Sequence, residues 1–91
     1  MEGEELQMTD AEFDLLDELY FVQPFDFLKD ELGWKDEEIL DVLTSLQKKD
    51  WIKCFSEMDI EVYPPQLNLE EHYKSYLYLA SKKGLMAHNG R

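Results

Sequence analysis

The sequence predicts an α+β fold, with three N-terminal helices followed by a two- or three-stranded antiparallel wing. Two observations carry this expectation. Up to residue 47, apolar side chains recur at helical spacing in three stretches, each with its own start or stop signal. Beyond residue 50 the pattern changes to short aromatic and β-branched runs, as strands require. The chain is 91 residues long, enough for one core and too short for two. We expect an acidic extension over 1–8 and a single domain over 9–91.

Thr9-Asp10-Ala11-Glu12 fits a capping box, in which the Thr9 hydroxyl and the Glu12 carboxylate each satisfy the other's backbone donor. Phe13, Leu16 and Tyr20 follow in one stripe, widened by Leu15 and Leu19, so a first helix is expected from about Asp10 to Tyr20. Pro24 can open a second helix because its missing N–H costs nothing in a first turn. Phe25, Leu28 and Leu32 share a face of that helix, and Gly33 stops it. Asp36 is placed as the cap of the third helix. Ile39, Val42, Leu43 and Leu46 form its buried stripe, and Glu37, Glu38, Asp41, Thr44, Ser45 and Lys48 lie outward.

Trp51 to Phe55 is the first expected strand and Ser75 to Ala80 the second. The excursion over 56–74 alternates at Ile60-Glu61-Val62-Tyr63, stops at Pro64-Pro65, and offers Asn68 as the cap of a brief helical turn. If Ile52, Cys54, Leu77 and Leu79 face the helices, Trp51, Phe55, Tyr76 and Tyr78 lie on the opposite face. That ribbon would be a partner or dimer surface, since Trp and Tyr are favoured interface anchors. The alternatives are a ribbon stiffened by its own cross-strand pairs, or one covered by Ile60, Val62, Tyr63, Leu67 and Leu69. Phe21 and Trp34, in the turns between helices, are expected at the rim of the core.

Two passages resemble the winged-helix superfamily, and the likeness spans roughly residues 9–90. Leu43-Thr44-Ser45-Leu46-Gln47-Lys48-Lys49-Asp50-Trp51-Ile52 is similar to the family's third helix, charged turn and Gly-Trp-Ile, with Asp50 in the usual glycine place. Leu79-Ala80-Ser81-Lys82-Lys83-Gly84-Leu85 is similar to the Leu-Thr-x-x-Gly segment that closes the wing in MarR-like and PadR-like regulators, with Ala80-Ser81 in place of Leu-Thr. The resemblance implies a transcription regulator whose third helix reads the major groove and whose wing touches phosphates.

The charges oppose that implication. Net charge is −12, distributed as −3 over residues 1–8, −9 over 9–50, −4 over 51–71 and +4 over 72–91. Phosphate contacts are made mostly by Lys and Arg, and a binder making ~6–10 of them would need most of the chain's 9 basic residues on one face. The leading end of the third helix carries Asp36, Glu37, Glu38 and Asp41 instead. Such a field repels phosphates and anionic membranes and favours basic partners. Lys74, Lys82, Lys83 and Arg91, set beside Lys48 and Lys49, form the one arrangement that could restore a positive strip, doubled in a homodimer.

Other chemistry finds little support. Cys54 alternates with Ile52 toward the core, where a lone cysteine acts as a small apolar residue. His72 and His88 lack metal-ligand spacing, and no Asp-x-Asp-x-Asp-Gly or glycine-rich phosphate loop occurs. No catalytic residue, cofactor or metal is expected. No apolar run approaches the ~20 residues of a membrane span, the N-terminus lacks the features of a signal peptide, and a cytoplasmic protein is expected. The expected function is an acidic module that contacts a basic protein partner, or itself as a homodimer. A DNA-binding regulator is the alternative.

Overall fold

The structure, a computed structural model, describes residues 7–91. Residues 1–6 of the expected acidic extension lie outside it. The elements run α1 (Asp10–Asp17), β1 (Gln23–Pro24), α2 (Phe25–Leu32), α3 (Asp36–Lys48), β2 (Ile52–Glu57), β3 (Ile60–Val62), α4 (Leu69–His72), β4 (Leu77–Ala80) and α5 (Lys82–Asn89). The fold is α+β. Its strands form one antiparallel sheet in the order β1-β4-β2-β3.

The capping box forms as the sequence predicts. The Glu12 N–H donates to Thr9 Oγ1 at 3.0 Å, and the Thr9 N–H donates to Glu12 Oε1 at 2.9 Å. The helix ends at Asp17, short of Tyr20, because Glu18 and Leu19 donate to the carbonyls of Leu15 and Leu16 and tighten the last turn. Leu19 stays in the core, and its carbonyl accepts from Ala80 of β4. Pro24 is the N-cap of α2 and Gly33 ends it at φ 69°. Glycine reaches that left-handed conformation without a Cβ clash. Lys35 is the N-cap of α3, so Asp36 opens its first turn; the Lys35 N–H donates to the Glu38 carboxylate at 3.0 Å. The Asp36 carboxylate pairs instead with Lys29 and Lys74.

Leu15, Leu16, Leu19, Phe25, Leu28, Ile39, Leu43 and Leu46 from the helices form one core with Ile52, Cys54, Tyr78 and Ala80 from the sheet. Removing each of the larger side chains from water stabilises the fold by about 1.5–3 kcal/mol. Val42 sits partly buried at the edge of this core, as does Trp34. Phe21 does not: it is 77% exposed. Its turn between α1 and β1 carries it outward, so it is not a rim residue.

The sheet register overturns the expected facing. Cys54 pairs with Tyr78, and Ile52 with Ala80, so these four share the inner face. Lys53 pairs with Leu79 and Phe55 with Leu77, which puts the two leucines on the outer face, half-buried. Tyr76 precedes β4; its N–H bonds the His72 carbonyl at the exit of α4, and its ring turns inward. The excursion contributes to the core as well, with Leu67 and Tyr73 packed against it. Asn68 caps α4 through the Glu71 N–H, Leu69 is buried, and the Asn68 N–H donates to the Tyr76 hydroxyl at 3.1 Å.

Residues 82–89 form a helix, an element that the expected order of three helices and a wing does not include. Ser81 caps α5, accepting from the Gly84 N–H at 3.0 Å, and its hydroxyl donates to the Asp50 carbonyl at 2.8 Å. A Cβ on Gly84 would lie 2.0 Å from the Trp51 carbonyl oxygen, so only glycine lets this helix come so close. Asp50 takes φ 63°, in the left-handed region. One turn further along the same buried face of α5, His88 stacks on Phe13 at 4.1 Å, and its Nδ1 lies 2.8 Å from the Tyr20 hydroxyl. No helix among the described residues is long and apolar enough to cross a membrane.

Candidate functional site

The outward side of α3 is the candidate site, and its placement follows from one buried carboxylate. Glu12 of α1 is 2% exposed. Besides the Thr9 N–H it receives the Ser45 hydroxyl on Oε2 at 2.5 Å and Lys49 Nζ on both oxygens at 2.9 Å. Lys49 also donates to the Gln7 carbonyl at 2.8 Å and lies 4.7 Å from the Trp51 ring centroid. Burial pushes the Glu12 carboxyl up, yet the hydrogen bonds from Ser45, Thr9 and Lys49 outweigh it and hold the group below the usual carboxylate range. This clamp ties α1 to the C-terminal half of α3. The other half of α3 is held by Asp36, whose carboxyl Lys29 first and then Lys74 draw below its ordinary value.

Between these two anchors, Glu37, Glu38 and Asp41 are exposed, and none belongs to an ion pair among the described residues. Glu37 and Glu38 lie in the first turn, where the helix dipole favours negative charge. A hollow of about 240 Å³ lies between α1 and α3, lined by Ala11, Trp34, Glu38, Asp41 and Val42. A second, of about 360 Å³, is lined by Asp41, Thr44, Ser45, Lys48 and Lys49. Acids are crowded at the C-terminal end of α1 too. Partial burial, then Glu31 and Asp17, raise the Glu18 carboxyl.

The structure thus gathers Asp41, Thr44, Ser45 and Lys48 along one groove, with Glu37 and Glu38 at its upper end. Two of these are less available than their spacing suggests. Ser45 is bound to Glu12, and the Thr44 hydroxyl donates to the Leu40 carbonyl at 2.8 Å. Lys48 is exposed.

The aromatic surface expected on the wing is not there. Trp51 and Tyr78 are fully buried and Tyr76 nearly so; only Phe55 stays on the outer face, half-buried beside Leu77. Trp51 lies under α5, and Tyr78 donates to the Tyr73 carbonyl at 2.6 Å, its phenol pushed up by burial. The positive strip that DNA binding would need is broken as well. Lys49 pairs with Glu12, Lys74 with Asp36 and Arg91 with Asp10. Lys48, Lys82 and Lys83 are exposed.

Cys54 is buried, and burial, then Glu61, push its thiol up to about 12. It is a packing residue. Among the described residues no three His, Cys, Asp or Glu side chains come together as a metal site. Sequence reasoning missed a hollow of about 580 Å³ beside α5, where Met8, Met86 and Ala87 lie with Lys83 and Arg91; without a helix at 82–89 nothing in the sequence joins them. No protein-family model, curated protein or solved structure matches the chain.

Proposed function

We propose that the chain is a winged-helix-like module that works by protein contact, with the outward face of α3 docking on a basic partner. The order helix, short strand, two helices, strand, excursion and strand supports the winged-helix reading, as does the pairing of β1 with β4. So do the two motif positions that carried the resemblance. Asp50 takes a glycine-like φ, and Ser81 with Gly84 closes the wing against Trp51.

The observation that carries the functional reading is the state of Glu37, Glu38 and Asp41. Each stands exposed and in no ion pair among the described residues, with Glu38 accepting the Lys35 backbone N–H, where a groove reader would present Arg, Lys, Asn or Gln. Asp or Glu can accept from a cytosine amino group, but only once phosphates hold the protein in place. Of the basic groups that could do so, Lys49, Lys74 and Arg91 are already paired with carboxylates.

The alternative reading, a DNA-binding regulator, is separated by a salt series. Fluorescence anisotropy of a labelled random duplex should show no binding with the protein at up to roughly 100 µM, even at low ionic strength. Binding in the micromolar range that weakens steeply with salt, the signature of phosphate neutralisation, would overturn the proposal. Sedimentation of the same samples reads whether the module acts as a monomer or a homodimer.

A further inference from the structure

The sheet has an open edge. In the order β1-β4-β2-β3, β3 pairs with β2 on one side, and among the described residues no strand pairs with its outer side. An unpaired strand edge presents a row of backbone donors and acceptors on which another strand can form. Around it lies the densest exposure of large apolar side chains on the sheet: Met58 is 64% exposed, Ile60 51% and Tyr63 60%. Glu57, Asp59 and Glu61 lie among them, and none joins an ion pair among the described residues. Glu61 does accept from the Tyr63 hydroxyl at 2.9 Å, but that leaves its charge uncompensated.

We propose that the outer edge of β3 receives an extended segment of another protein in which basic and apolar residues alternate. This rests on the reading of the chain as an acidic docking module and names a second contact for its partner. Charge complementarity selects the occupant. Glu61 shares the outer face with Phe55, while Val62 pairs beside Cys54 on the inner one. A strand added next to β3 sets its own side chains beside these in the same alternation, so Lys or Arg falls by Glu61 and an apolar residue by Ile60 or Val62. A second copy of this chain is disfavoured, because it would bring the same three acids against themselves, and like charges opposite each other destabilise a strand pair. Nucleic acid and anionic lipid are repelled by the same field.

The test uses the full-length, ¹⁵N-labelled chain titrated with two capped ten-residue peptides of alternating sequence, one of Lys and Val, the other of Glu and Val. The Lys peptide should shift the backbone amides from Glu57 to Tyr63, and the Glu peptide should leave them unmoved. Glu61→Lys replaces one attraction with a repulsion and should weaken binding about fivefold, the range of a cross-strand charge pair. Ile60→Ser, which removes an exposed contact, should weaken it less; circular dichroism checks that both variants remain folded. Equal binding of the two peptides, or no effect of Glu61→Lys, overturns the proposal. Self-association that perturbs β3 overturns it in favour of a second copy. Shifts confined to Glu37, Glu38 and Asp41 remove the β3 site and leave the α3 reading standing, whereas steep salt-dependent duplex binding removes the α3 reading itself.

Discussion

Replacing Glu12 by Gln tests whether α3 is held by the buried carboxylate or only by its apolar stripe. In the native chain the two Glu12 oxygens take the Thr9 N–H, the Ser45 hydroxyl and Lys49 Nζ. Gln keeps one oxygen and turns an NH₂ toward those donors, so at least one contact becomes donor against donor. Hydrogen bonds to charged groups contribute about 1.5–3 kcal/mol each. Removing one partner of a buried pair costs about 3–5 kcal/mol when the other charge is left stranded. Lys49 is not wholly stranded, since its side chain is 21% exposed, which lowers the expectation to about 2–4 kcal/mol. That is a large part of the ~5–15 kcal/mol that stabilises a small domain. In urea, with a slope of about 1 kcal/mol per molar for a chain of this size, the unfolding midpoint should fall by about 2–4 M at neutral pH. The pH dependence has a definite sign. Because folding lowers the Glu12 pKa from its usual 4.5, the stabilisation is fully present above that value and is lost as pH falls through the folded pKa. The gap between native chain and variant is therefore constant from neutrality to mild acid and narrows below it. A midpoint shift under about 0.5 M, or a gap that widens toward acid, would refute the clamp.

Four further outcomes follow from the same geometry. Gly84→Ala must push α5 off the Trp51 carbonyl and should destabilise the chain by about 3 kcal/mol or more. Gly90→Ala, whose nearest new contact is 3.3 Å away, should change stability by less than about 1 kcal/mol in the same melts. At Asp50, with φ 63°, Ala should be about 1 kcal/mol less stable than Gly in chemical denaturation, and equal stabilities would argue against the left-handed turn. Cys54, its thiol held near 12, should react with a disulfide reagent at pH 8 at least ~100-fold more slowly in the native chain than in urea; comparable rates would mean the thiol is not buried.

The helices were legible because their signals are local. Thr9 and Glu12 cap within one turn, Gly33 ends a helix by its own backbone freedom, and the stripe of Ile39, Leu43 and Leu46 has one period and one buried face. Trp51 and the aromatics near β4 defeated the same approach for a physical reason. In Tyr76-Leu77-Tyr78-Leu79 both parities are apolar, so alternation alone cannot say which set faces inward. The choice is made by partners far away in sequence, the Cys54–Tyr78 pairing and the bond from the Ala80 N–H to the Leu19 carbonyl. Strand β1 was beyond reach because two residues, Gln23 and Pro24, carry no pattern, and it exists only through its pairing with β4. Helix α5 left one signal, the Ser81 cap, but Gly84 interrupts it and the apolar Leu85, Met86 and Ala87 run consecutively, without a helical period. On α3 the spacing put Ser45 with the outward residues, whereas it is half-buried with its hydroxyl on Glu12, a partner 33 positions away that spacing along α3 cannot reveal.

Some acids hold a cation within the fold and others hold none, and the contrast bears on function. Glu12, Asp36 and Asp10 each hold a cation from another element, tying α1 to α3, α2 to α3 and α1 to the C-terminal end. Their loss would be felt first as stability. Glu37, Glu38 and Asp41 on α3, with Glu57, Asp59 and Glu61 on the β2–β3 hairpin, hold none among the described residues. Unpaired like charge adds self-repulsion to the folded state, although it also keeps a protein soluble and monomeric. Solubility alone sets no position for such charges. Two clusters, one on the exposed face of α3 and the other at an open strand edge beside exposed Met58 and Ile60, are what a basic partner would both be steered by and rest against. Reversing charges in either cluster should therefore change association with such a partner by far more than it changes the melting of the chain, the opposite of what Glu12→Gln should do.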